Sequence, residues 1–139
     1  MENVMANPKA FGTYNFKNGF LYSGKYQDSQ SILGNVKNGV IYKGKYQSSN
    51  DIVGNVRNGI IYKGKFQSSN DILGRVKDGK VYKGKFEQSS AQVASIKDDN
   101  IYEGRFVQSS TLLGHIEGTD SMDQAILMAL VNFFVLPIF

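Results

Sequence analysis

The sequence predicts a mainly β protein: an antiparallel meander of about 10–11 strands, built from 20-residue hairpin repeats and curled around or packed on one C-terminal helix. Three observations carry this expectation. Turn residues, tyrosines and glycines recur with a period of 20, the residues between them alternate as strands do, and residues 125–139 are apolar except for Asn132. A chain of 139 residues suits one domain, assigned here to 1–139, with the meander at 11–117 and the helix at 121–136.

The columns define the unit. Asn18-Gly19, Asn38-Gly39 and Asn58-Gly59 are followed by Asp78-Gly79 and a degenerate Asp98-Asp99. Next come Tyr22, Tyr42, Tyr62, Tyr82 and Tyr102, then Gly24, Gly44, Gly64, Gly84 and Gly104, then the rings Tyr26, Tyr46, Phe66, Phe86 and Phe106. A further column holds Gly34, Gly54, Gly74 and Gly114, interrupted by Ala94, so thirteen of the fifteen glycines stand in three columns. Such placement is structural punctuation rather than a flexible linker.

Within one unit, residues 40–46 alternate as a strand, residues 47–51 form a polar loop, and residues 52–57 alternate again. A two-residue turn at Asn38-Gly39 would pair Lys37 with Val40 and swap the faces from one repeat to the next, against the constant columns. The expected connection is therefore a three-residue loop over 37–39 with a G1 bulge, in which Val36 faces Val40. That register gathers Val40, Tyr42, Gly44, Tyr46, Ile52, Gly54 and Val56 on one face, with Tyr42 shielding Gly34. The opposite face becomes cationic, carrying Lys43, Lys45, Arg57, Lys63, Lys65, Arg75, Lys77, Lys83 and Lys85, whose stems cover Leu33, Val53 and Leu73.

The apolar run reads as a helix capped by Ser121 or Asp123 and continuing over 124–136 until Pro137, with Asn132 its one polar side chain. A helix apolar on every side is buried all round or lies in lipid. Thirteen residues span ~20 Å, whereas eleven flat strands would span ~50 Å. Three outcomes follow. The sheet curls around its own helix, the helix mediates a homodimer or a partner contact, or the segment carrying Ile126, Leu127, Leu130, Phe133 and Phe134 inserts in lipid. For the last it is short, since a span needs ~20 residues.

The unit Tyr42-Lys43-Gly44-Lys45-Tyr46, followed by Gly54 and Asn58-Gly59, resembles the MORN repeat, and the resemblance covers roughly residues 11–117. It implies an extended meander with one hairpin per repeat, acting as a protein-interaction scaffold, in some members linked to acidic phospholipids. A C-terminal helix packed on the array is also seen in that family.

Composition limits the chemistry. No cysteine is present, which excludes disulfides, thiol catalysis, iron–sulfur clusters and Cys-based zinc sites. The single histidine, His115, has no second histidine to share a metal. Asp98 and Asp99 stand in a turn column, and the Ser-rich loops, such as Ser48-Ser49 and Ser68-Ser69, have no base placed to activate them. No catalytic, cofactor or metal site is therefore assigned, and the protein is read as a non-enzyme. Sixteen basic and twelve acidic residues leave a net charge of +4, concentrated by the expected register on one face. The first reading is an interaction scaffold for a protein or an anionic lipid surface, reached through the basic face and the polar loops. The alternative is a membrane-associated protein whose tail inserts while that face meets acidic headgroups. Nucleic acid suits the same cations, but no base-reading motif supports it. Residues 1–15 hold no apolar run behind a basic cluster, so the expected location is cytoplasmic, with membrane association under the alternative.

Overall fold

The computed structural model describes residues 6–139; the first five, included in the domain and leader readings, lie outside the described residues. Eleven strands form one antiparallel sheet in chain order: β1 (Tyr14–Lys17), β2 (Phe20–Ser23), β3 (Ile32–Lys37), β4 (Val40–Lys43), β5 (Ile52–Arg57), β6 (Ile60–Lys63), β7 (Ile72–Lys77), β8 (Lys80–Lys83), β9 (Gln92–Lys97), β10 (Asn100–Glu103) and β11 (Leu112–Gly114). One helix, α1 (Gln124–Phe134), follows.

The hairpin turn differs from the expected three-residue loop. Lys37 pairs with Val40, and Asn38 and Gly39 both take positive φ, 53° and 77°, the type I′ geometry whose twist matches that of the strands. Asp98 and Asp99 do the same at 52° and 66°, which short Asx side chains tolerate. The face swap that this turn causes is cancelled once per repeat by a β-bulge. Ile41 pairs with Gly54 but Tyr42 with Ile52, leaving Val53 as the extra residue. Leu33, Leu73, Val93 and Leu113 are the extra residues at the other junctions, and all five pack toward the core rather than beneath lysine stems. Two inversions per unit restore the columns.

The faces are accordingly redistributed. Val36, Ile41, Gly54 and Val56 share the side that faces α1, while Asn35, Val40, Tyr42, Ile52 and Asn55 share the outer side. Tyr42 stands between Asn35 and Ile52, not over Gly34. The ring over Gly34 is Phe134; Phe133 covers Gly54, Phe139 covers Gly74 and Phe11 covers Gly114. A glycine column thus makes a row of sockets for aromatic rings.

The centre of the core is formed by the Leu21, Ile41, Ile61, Val81 and Ile101 column and the helix residues Met128, Ala129, Leu130 and Val131, all fully buried. Asp123 caps α1, its carboxylate accepting from the amides of Ala125 (2.8 Å) and Ile126 (3.3 Å). Asn132 has a structural use: its Oδ1 accepts from the amides of Ile138 (2.8 Å) and Phe139 (3.1 Å), turning the tail back after Pro137. The sheet curls about this helix. Helix and tail rings reach β3, β5 and β7, while Leu136 and Ile138 lie beside Val93 and Leu113.

β1 and β11 share no ladder, so the sheet is open, yet flanking backbone bridges its ends. The amide of Phe11 bonds to the Leu113 carbonyl (2.8 Å), as the amides of Gly24, Gly44, Gly64, Gly84 and Gly104 bond to residues 13, 33, 53, 73 and 93. The amide of Phe16 bonds to Glu117 (2.8 Å), in the place of the bonds from Val36, Val56, Val76 and Ile96 to the preceding turn glycines. The first kind of bond thus recurs six times around the array and the second five. At this seam the Glu103 carboxylate accepts from Lys9 Nζ (2.8 Å) and Asn7 Nδ2 (2.9 Å), and these two bonds hold its pKa below the ordinary value.

Candidate interaction surface

Gly44 ends β4. Its φ of 71° carries the chain out of the ladder, so residues 45 and 46 do not continue the strand as the alternation suggested. The emerging segment is then pinned to the outer side. Asn35 Nδ2 donates to the carbonyls of Gly44 (2.8 Å) and Tyr46 (3.2 Å), and Gln47 Nε2 donates to Asn35 Oδ1 (2.8 Å). Asn15 with Gln27 and Asn55 with Gln67 repeat the arrangement. In the fourth unit an ion pair, Arg75 with Glu87 at 3.7 Å, replaces the amides, leaving Arg75 Nε buried without a partner. In the fifth, the Ser95 hydroxyl donates to the Gly104 carbonyl (2.9 Å) and Val107 stands where the glutamine was.

The pins face the next ring outward. Tyr26, Tyr46, Phe66, Phe86 and Phe106, read from the sequence as part of the greasy face, are 64–72% exposed. Each follows an exposed cation: Lys25, Lys45, Lys65, Lys85 or Arg105. Lys45 Nζ lies 5.7 Å from the Tyr46 ring centroid. A cleft of about 440 Å³ opens between the first two loops, lined by Ile32, Lys43, Lys45, Tyr46 and Asp51. The loop serines serve local turns; Ser48 and Ser68 donate to Asp51 and Asp71, each at 2.7 Å.

The expected single cationic face is split by the bulges. Lys43, Lys63 and Lys83 lie on the helix side of the ladder by register, exposed at the loop end. Lys45, Lys65 and Lys85 are in the loops beside the rings. Arg57 and Lys77 are at the turn end on the outer side, and Arg75 is half-buried against Glu87. Of the tail residues, Leu127 and Leu130 are buried, and Ile126, Phe133 and Phe134 half-buried. His115 Nε2 meets Glu117 Oε1 at 2.8 Å in an exposed position. Among the described residues no three His, Cys, Asp or Glu side chains cluster as metal ligands, and no helix is long and apolar enough to cross a membrane.

The missed element is the pin. Its signal lies in positions twelve apart: Asn-Gln in three units, Arg75-Glu87 in the fourth and Ser95-Val107 in the fifth change together. Asn55→Ala leaves the carbonyls of Gly64 and Phe66 and the Gln67 amide without this partner. The expected cost is about 1–3 kcal/mol by chemical denaturation, with faster hydrogen exchange in the 64–71 loop. Unchanged exchange would show that the pin does not hold the loop.

These features define a class: an array of repeated β-hairpins wound about its own C-terminal helix, its two ends joined through flanking backbone. The chain belongs to the family described as 6-fold beta flower proteins, whose pattern it matches over residues 12–129. The MORN resemblance extends to the repeated hairpin and is not specifically shown beyond it. No curated protein and no solved structure matches the chain.

Proposed function

We propose that the protein is a non-enzymatic scaffold that holds an extended anionic partner surface through its loop-end rim of ring and cation pairs. The observation that carries the reading is the fivefold repetition of a large exposed ring beside a lysine or arginine. Rings on loops, three of them held by the Asn–Gln pins, bring contact area at low entropic cost, and the adjacent cations favour an acidic surface. Repetition adds avidity, because each contact raises the effective concentration of the next. The working unit is taken as a monomer, since Met128, Ala129, Leu130 and Val131 are already buried in their own sheet and offer no face for a helix-mediated dimer. The same burial disfavours tail insertion in lipid, which would have to empty the core.

The test replaces the five rings together with serine and measures binding to vesicles containing phosphatidylserine and to immobilised polyglutamate. The parent is expected to bind at least one of them, more weakly as salt rises. The variant is expected to melt like the parent and bind at least tenfold more weakly. Binding that survives loss of the rings, equal binding to neutral vesicles, or no binding to either acidic surface overturns the reading.

A further inference from the structure

One junction departs from the repeat at four positions that meet in space. Lys80 stands where other units have Phe20, Val40 and Ile60, and Gln92 where they have Ile32, Ile52 and Ile72. Ser95 and Val107 replace the amide pair of the pin. Strand pairing sets Lys80 opposite Ser95 and Tyr82 opposite Gln92, so the exchanges converge on the outer side between β8 and β9.

At these exchanges lies a cavity of about 210 Å³, with Lys80, Lys97 and Arg105 around it and the Val107 side chain as its apolar part. Ser95, 5% exposed, forms the floor; its hydroxyl accepts from Gln92 Nε2 at 3.0 Å. Asp78 is the one carboxylate on the lining. Three cations against one carboxylate leave an excess of about two charges, which matches a dianion. Among the described residues none of the three cations forms an ion pair. A guanidinium fork matches the tetrahedral oxygens of a phosphoryl group, with lysines as point charges beside it. We infer that this cavity binds a phosphate monoester, its phosphoryl group held by Arg105, Lys80 and Lys97 and its organic part against Val107. The site is single where the rim is repeated; Arg105 belongs to both, so a soluble monoester, too small to span the rim, is the arm that reads the cavity alone.

The experiment titrates the full chain with inorganic phosphate and with glycerol phosphate, following amide shifts and heat. A parallel arm compares vesicles bearing phosphatidic acid, the same monoester on a lipid, with phosphatidylserine vesicles. The key variant restores the repeat: Lys80→Ile, Gln92→Ile, Ser95→Asn and Val107→Gln. Arg105→Ala is a second variant at an exposed side chain, and Lys17→Gln is the charge control. Soluble monoester is expected to shift the amides of Lys80 and Ser95. Arg105→Ala should weaken it about tenfold, the restored repeat should abolish it, and Lys17→Gln should change it less than twofold. A preference for phosphatidic acid that both site variants lose, without soluble binding, would identify the lipid headgroup as the source. Binding of neither form, or binding unchanged by Arg105→Ala, overturns the assignment.

Discussion

A chain ending at Ser121 is expected to lose cooperative folding. The argument rests on how much of the interior belongs to α1. Leu127, Met128, Leu130 and Val131 are buried, and at ~1.5–3 kcal/mol for each side chain they contribute on the order of 10 kcal/mol as an upper estimate. Whole domains are typically stable by about 5–15 kcal/mol, so removing this segment consumes the margin. It also strips Phe134, Phe133 and Phe139 from the sockets at Gly34, Gly54 and Gly74 and leaves the Ile41 and Ile61 column facing water. The expected result is a broad, non-cooperative melt with strong binding of a hydrophobic dye. Leu130→Ala tests the same point more gently, with an expected loss of about 2–5 kcal/mol. A truncated chain that melts as sharply as the parent, within a few degrees of it, would show that the sheet supports itself.

The second large effect concerns a single methyl group. A Cβ at Gly54 would lie 2.5 Å from the Cε2 and Cζ atoms of Phe133 and 2.7 Å from the Tyr62 carbonyl oxygen. The carbonyl is backbone in a ladder, so the ring must yield. Gly54→Ala is expected to cost about 1–3 kcal/mol through overpacking. Combining it with Phe133→Ala should cost less than the sum of the separate losses, by at least ~1 kcal/mol, because the second change removes the clash with the ring and leaves only that with the Tyr62 carbonyl. Denaturation of the four proteins in the cycle supplies the number. Strict additivity would mean that the socket is not what selects glycine here, and the column would need another explanation.

Much of the scaffold is legible locally. The period of 20, the Asn-Gly turns and the start of the helix behind Asp123 all follow from short-range chemistry: left-handed tolerance at the turn and a carboxylate at the first amides. The rim is less so. Tyr46 follows an alternating run and reads as its continuation, yet the positive φ at Gly44 breaks the strand one residue after Lys43. A glycine column permits such a break without announcing it. The pin that commits Tyr46 to the outside is made by Asn35, on the neighbouring strand, and Gln47, so no window around the ring contains the reason for its exposure.

By itself the sequence determined that this is a hairpin meander with a terminal apolar helix, because periodicity and turn chemistry are written into neighbouring residues. Which side of the ribbon meets that helix was decided only by tertiary structure. Alternation with period two has no absolute sense, and one extra residue at Val53 undoes the inversion made by the turn at Asn38 and Gly39. The choice was made by the rings of Phe133, Phe134 and Phe139, which fit over a glycine column and not over tyrosines.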